Sequence, residues 1–240
     1  MEDLDRAILT NEQAVQATSH NHSNRAGYLN NLGNALQSRF ERTGSMEDLD
    51  RAILTNEQAV QATPDDHPNR AMLLNNLGSA LQKRFERTGS MRDLDRAIET
   101  NEQAVKSTPA NSHDHLSCLN SLGVALQSRF DRIGLTEDLD RAIEIHKQVV
   151  ESTPVDHPDR AGRLNNLGNA LHKRVERTSS IENLDCAIKT KEQAVESTPV
   201  NHPDRATCLN NLGIALLSRF DRTGSMRNLD HAIETNEQAL

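Results

Sequence analysis

Between residues 46 and 90 the apolar side chains follow two helical rhythms, separated by proline and closed by glycine. Leu49, Ala52, Ile53, Ala59 and Val60 recur at i, i+3, i+4, i+10 and i+11, so they share one face of a helix. Ser45, with Asp48 three residues on, has the pattern of an N-cap, and the spacing predicts one amphipathic helix of about 16 residues within Met46–Thr63. Pro64 ends it, because the residue before a proline is driven out of the α region. Pro68 fits the first turn of a second helix, where its missing N–H is no loss, with Asp66 or Asn69 able to cap. That helix runs from about Asn69 to Thr88, since Ala71, Leu74, Leu77, Leu81 and Phe85, spaced 3, 3, 4 and 4, fall on one face. Gly89 then takes the place of a left-handed C-cap.

Two positions run against this pattern. Gly78 interrupts the second helix at a cost of roughly 1 kcal/mol against alanine, which the close approach of a neighbouring helix would offset. Asn56 stands at i+7 of the first helix, in the middle of the apolar stripe. Either the helix ends carry most of its packing, or this point faces a wet seam.

The whole pattern recurs without insertion or deletion. Copies occupy 1–45, 46–90, 91–135, 136–180 and 181–225, and a partial sixth covers 226–240. Gly33, Gly78, Gly123, Gly168 and Gly213 repeat the helix-interior glycine. The mid-stripe polar position is Asn11, Asn56, Asn101, His146, Lys191 and Asn236. A fixed period of this length, with too little apolar surface in one copy to bury alone, predicts a single all-α array: an α-solenoid of antiparallel helix pairs in a right-handed superhelix of eleven helices. The third repeat departs most. It has Ser112 and His113 for the His-Pro pair, His115 where the others have Arg, and Ile133-Gly134-Leu135 for Thr-Gly-Ser, so the segment 110–116 is expected to be the loosest. The first repeat also lacks the proline, with Ser23 in its place, and in the fourth Ser179 replaces the C-cap glycine.

Composition narrows the partners. The chain is 35% hydrophobic with no Trp, and its net charge of −8 is spread evenly, which argues against nucleic acid and anionic membrane. No apolar run suits a membrane span or signal peptide, so cytoplasmic residence is the default. Cys118, Cys186 and Cys208 have no paired spacing and read as free thiols. His22, His67, His157 and His202 recur at one loop position. Equivalent atoms of stacked helix pairs lie roughly 8–10 Å apart, too far for shared zinc ligands at about 2.1 Å, so these histidines cap or pack and no metal or other cofactor is expected. No phosphate loop, nucleophile elbow or Cys-His pairing is present, and no catalytic residue is assigned.

Leu29, Leu32, Gly33 and Leu36, followed by Ala52, Ala59 and Pro64, resemble the signature of the tetratricopeptide repeat. The departures are a longer period, leucines at two of the family's aromatic positions, and Asn56 at a third. The phrase from Asp156 to Leu171 is similar to one in kinesin light chains, and the near-identical copies resemble arrays in large fungal proteins that carry nucleotide-binding or caspase-like domains. In the family's phase, residues 1–18 are a second helix without its first, which suggests a piece of a longer array.

The resemblance implies that the first helix of each pair lines a concave groove. The face concerned holds positions 27, 30, 34, 37 and 41 and their equivalents. It carries a fixed column, Asn30, Asn75, Asn120, Asn165 and Asn210, beside variable ones that include Met72 and Asn34, Ser79, Val124, Asn169 and Ile214. These residues are the expected partner site: the amides hold the backbone of an extended peptide and the variable side chains read its sequence. The alternative is that each Asn bonds to the adjacent repeat, with Asn31, Asn76, Asn166 and Asn211 as a second column. A protein-interaction scaffold is the functional reading. Its alternative is a structural spacer or self-associating module, joined end to end through Leu4, Ala7 and Ile8 at one end and Ile233 and Leu240 at the other.

Overall fold

The computed structural model describes residues 1–20, 22–110 and 112–239; Asn111 and Leu240, both within expectations above, lie outside them. Among the described residues there are eleven α-helices and no strand. They are α1 (Glu2–Ala17), α2 (Arg25–Thr43), α3 (Met46–Gln61), α4 (Arg70–Thr88), α5 (Met91–Lys106), α6 (His113–Ile133), α7 (Thr136–Glu151), α8 (Arg160–Thr178), α9 (Ile181–Glu196), α10 (Arg205–Thr223) and α11 (Met226–Glu237). The chain divides into two compact units, Met1–Arg129 and Phe130–Leu240.

In the first unit α2 packs most extensively on α3, and α4 on α5, across two-residue turns, while α1 and α2 and then α3 and α4 meet across longer loops. In the second unit the tight pairs are α8 with α9 and α10 with α11. The chemistry of the short turn explains its recurrence. Gly44 and Gly89 have φ of 72° and 71°, a conformation that costs a side chain energy. The next residue, Ser45 or Ser90, accepts from the N–H of Asp48 or Asp93 at 3.4 Å and starts the following helix. Ser179 is forced into the same left-handed geometry at φ 53°.

Each core draws on neighbouring repeats. One joins Phe40, Leu49, Ile53, Leu77, Ala80, Leu81 and Ala97; its counterpart in the second unit joins Phe130, Leu139, Ile143, Leu167, Ala170, Leu171 and Ala187. Each fully buried leucine contributes roughly 1.5–3 kcal/mol.

The two positions that run against the pattern account for each other. Asn56 and Asn101 are 1% exposed and press on the interior glycine of the preceding helix. A Cβ at Gly33 would lie 2.2 Å from Asn56 Oδ1, and one at Gly78 would lie 2.1 Å from Asn101 Oδ1. What comes close to the glycine is therefore a buried polar side chain, and among the described residues neither amide atom of Asn56 has a hydrogen-bond partner, nor does Asn101 Oδ1.

The third repeat lacks the His-Pro pair, and α6 is 21 residues long against 19 for α4. Ser112 Oγ accepts from the His115 N–H at 3.1 Å and caps the extra turn. Among the described residues no helix is long and apolar enough to cross a membrane.

Candidate interaction face

The repeated polar residues sort into those that hold the stack together and those left over. The histidines of the long loops belong to the first group. Nδ1 of His22, His67 and His157 accepts from the backbone N–H two residues on at 3.1 Å, and His202 does so at 3.2 Å, closing the start of α2, α4, α8 and α10. The ring proton is thereby placed on Nε2.

The arginine three residues later closes the other side of the loop. Arg25 Nη1 donates to the Val15 and Thr18 carbonyls, both at 2.6 Å, at the end of α1. Arg70, Arg160 and Arg205 repeat the contact to Val60 at 3.0 Å, Val150 at 3.2 Å and Val195 at 3.0 Å. A cation on the last carbonyls of a helix also meets the negative end of its dipole. In the third repeat the shorter His115 bonds Thr108 Oγ1 through Nδ1 at 2.9 Å instead. Sequence reasoning missed this role of the arginines, because their acceptors are backbone carbonyls.

A second set of arginines joins successive repeats. Arg39 binds Asp48 through Nε at 2.8 Å and Nη2 at 2.6 Å, and reaches Asp5 of α1 at 3.0 Å. Arg84 does the same to Asp93 at 2.9 and 2.6 Å and to Asp50 at 2.9 Å. The bidentate Arg39 guanidinium holds the Asp48 carboxyl below the usual carboxylate range. Arg51 pairs with Glu12 and Arg96 with Glu57, and the Arg87 guanidinium lies 5.5 Å from the Phe40 ring centroid. These arginines and their partners thus tie helices together.

The asparagine columns are partly engaged in the same way. Asn76 Nδ2 donates to Asn30 Oδ1 at 2.8 Å, and Asn211 Nδ2 to Asn165 Oδ1 at 2.9 Å, each pair linking helices one repeat apart. Asn30 is buried at 6% exposure. Where Ser121 replaces the second asparagine, Asn75 Oδ1 is buried with no partner. A parallel tie runs from Gln82 Nε2 to Ser128 Oγ at 2.9 Å.

The remaining predicted site residues differ in exposure. Asn34, Met72, Asn210 and Ile214 are exposed, whereas Asn75, Ser79, Asn120, Val124, Asn165 and Asn169 are half-buried. In the first unit a cleft of about 1080 Å³ opens beside Gly27 and Met72, floored by Leu29 and Leu73 and walled by Gln58, Gln61, His20 and His67. In the second unit Lys191, 2% exposed, donates from Nζ to Asn169 Oδ1. Burial pushes Lys191 down to about 8 and, in the equivalent position of α7, His146 down to about 4. The three cysteines are free thiols, and burial pushes Cys118 up to about 11.

Comparison with known proteins gives the same picture. The family model of the tetratricopeptide repeat matches residues 25–69, 70–115, 115–159 and 205–240. Among curated proteins none matches. Solved structures of similar fold include BtubC from P. vanneervenii, with 16% identity, 98% of this chain and 90% of that one covered, and a TM-score of 0.69. The nearly identical repeats of a Podosopora anserina protein share 20% identity over 89% of this chain and 96% of that one, at a TM-score of 0.63. YrrB, a repeat protein with an unusual peptide-binding site, shares 17% over 95% of both chains at 0.59.

Proposed function

Because the chain belongs to the tetratricopeptide repeat family, we propose that it is a protein-interaction scaffold that binds an extended peptide on its first-helix faces. These are α2, α4 and α6 in one unit and α8 and α10 in the other. The observation that carries this reading is the division of labour among side chains. The constant residues cap helices or tie repeats together, while Met72 at 40% and Ile214 at 47% exposure are variable, apolar and uncommitted. The cleft beside Met72 and Gly27 has room for an apolar side chain of the ligand. The peptide-binding site of YrrB, on a similar fold, supports the choice of ligand.

The experiment is a peptide-display selection against the whole chain, followed by Met72→Glu, Ile214→Glu and, as a control on the outward face of α3, Leu54→Glu. Binding should weaken about tenfold or more in the first two variants, the loss of about 1.4 kcal/mol or more expected for an apolar anchor. Selected peptides that tolerate both but fail against Leu54→Glu would show that the ligand lies elsewhere.

A second reading, end-to-end self-association, is supported by Ile233. It is 47% exposed, whereas Ile53, Ile98, Ile143 and Ile188 at the same position are 4% exposed or less. Sedimentation over a wide concentration range tests it: Ile233→Lys should abolish any dimer, and a parent that stays monomeric throughout removes this reading. Partners other than nucleic acid or anionic membrane accord with the even acidic charge.

A further inference from the structure

Six polar positions are identical in all five full repeats, those of Asp5, Gln13, Thr18, Asn30, Arg39 and Arg42. Five of them are spent inside the protein. The aspartate meets the first of the two arginines, as Asp5 does Arg39, Asp50 does Arg84 and Asp185 does Arg219. The threonine bonds a carbonyl of the helix it ends, as Thr18 does Ala14 and Thr63 does Ala59. Asn30 and Asn165 accept from an asparagine of the next repeat, and the second arginine covers a phenylalanine ring at Arg87 and Arg177. The glutamine does none of this. Gln13, Gln58, Gln103, Gln148 and Gln193 are exposed, and among the described residues their side chains have no hydrogen-bond partner. Helix propensity does not demand glutamine there either, since the exposed position three residues on is filled by Gln16, Lys106 or Glu151, helix formers of the same rank.

Gln58 has a place to act. It lines the cleft of the first unit together with Gln61, His22, His67 and Gly27, over the floor of Leu29 and Leu73. Gly27 is unlike the helix-interior glycines that press on asparagine. A Cβ added to it would meet nothing within 4 Å, and alanine is the better helix former, so packing gives no reason for a glycine there. What a missing side chain does allow is the close approach of another main chain. The polar groups around that space are uncharged donors and acceptors. Nδ1 of His22 and of His67 accepts from the backbone, which places each ring proton on Nε2, and the Arg25 guanidinium is already held by the Val15 and Thr18 carbonyls.

We infer that the glutamine column of the second helices is a clamp for the main chain of a bound peptide, with Gln58 pairing one residue of a ligand that passes over Gly27. This rests on the reading of the chain as a peptide scaffold and names the residue that grips. Gln58 Oε1 accepts from the N–H of the ligand residue and Nε2 donates to its carbonyl. The ligand side chain takes no part, so the clamp is indifferent to sequence and selection falls to variable residues such as Met72. It also takes over the task expected of Asn30, whose oxygen is occupied by Asn76. Spacing fits the assignment. An extended chain of three residues per turn and a rise of about 3.1 Å presents the same residue edge about every 9 Å, and stacked helices lie roughly 8–10 Å apart, so Gln13, Gln58 and Gln103 of the first unit hold one ligand at three points.

The test uses the 15N-labelled whole chain and two small probes, N-acetylalanine methylamide and O-acetyllactic acid methylamide, which differ only in an ester oxygen where the residue N–H stands. Titrations are read at the Gln58 side-chain NH2 signals and at the Gly27 backbone signal. The amide should bind about fivefold more tightly than the ester, the worth of one hydrogen bond. Gln58→Leu keeps the bulk of the side chain without its donor and acceptor. Read at Gly27, it should bring that ratio close to one, and its melting temperature should equal the parent's because no bond within the protein is lost. No binding of either probe, equal binding of the two in the parent, an undiminished ratio in Gln58→Leu, or a melting temperature lowered by several degrees overturns the clamp. If displayed peptides still bind through Met72 in that event, the wider reading survives without it. If the probes behave as expected and no displayed peptide binds, the clamp stands alone.

Discussion

The contact between the helix-interior glycine and the buried asparagine makes a quantitative prediction at Gly78 and Asn101. Alanine is the better helix former by about 1 kcal/mol, so Gly78→Ala in an open helix would stabilise. Here the new Cβ would lie 2.1 Å from Asn101 Oδ1 and 2.8 Å from its Cγ, and Asn101, 1% exposed, has nowhere to swing. Overpacking of this kind costs up to about 3 kcal/mol, leaving a net loss near 2 kcal/mol. Asn101→Ala removes an oxygen that has no partner, worth roughly 1–3 kcal/mol, and the small void it leaves offsets part of that gain. In the double variant the alanine at 78 fills the vacated space. It should be about 1–2 kcal/mol more stable than the parent, with a coupling near 3 kcal/mol between the two sites. Urea unfolding of the four proteins, fitted with one slope, measures the cycle. A Gly78→Ala variant as stable as the parent, or additive effects, would refute the steric account.

Three further outcomes follow from the same seams and turns. Lys191 loses its proton near pH 8 in the native chain but near its ordinary 10.5 when unfolded. The unfolded state binds more protons between those values, so stability should climb there by about 3 kcal/mol, and the climb should be absent from the urea midpoints of Lys191→Met. His146, held down to about 4, behaves in the same sense lower on the scale: its contribution is complete above about pH 6.5 and lost as pH falls towards 4. The melting temperature of His146→Asn should therefore fall less steeply over that interval than the parent's. Ser179→Gly relieves a left-handed serine and should raise stability by about 1 kcal/mol; an unchanged or lower melting temperature would count against strain at that turn.

The helices and their caps were legible because they depend on local rules: Ser45 with Asp48, Gly89 at its turn, Pro64 as a stop. The mid-stripe asparagine and the interior glycine were each visible, yet only as separate oddities. Gly33 and Asn56 are 23 residues apart, and no rule of sequence periodicity links positions on different helices. The asparagine columns could be read two ways. The bonds from Asn76 to Asn30 and from Asn211 to Asn165 bear out the tie between repeats for those pairs, while Asn34 and Asn210 remain open to solvent. Lys191 looked like one more polar substitution in its column. Its reach to Asn169 depends on chain length and on Gly168 lying beside it, which only coordinates display.

The arginine joint has a bearing on how such a chain can change in size. Arg84 holds Asp93 at the start of the next copy and Asp50 of its own, and the first four copies carry all three residues of this fastening, whereas Asn183 and Asn228 stand in place of the first acid in the last two. A duplicated segment of one full period is born compatible with its parent on either side, whatever its starting point within the repeat. Unequal exchange between copies can lengthen or shorten the gene in whole periods without a single compensating substitution, whereas any other step leaves an arginine opposite nothing. Near-identity of the copies is then self-sustaining: like pairs with like, and a lineage can adjust the number of repeats faster than it can alter any one of them.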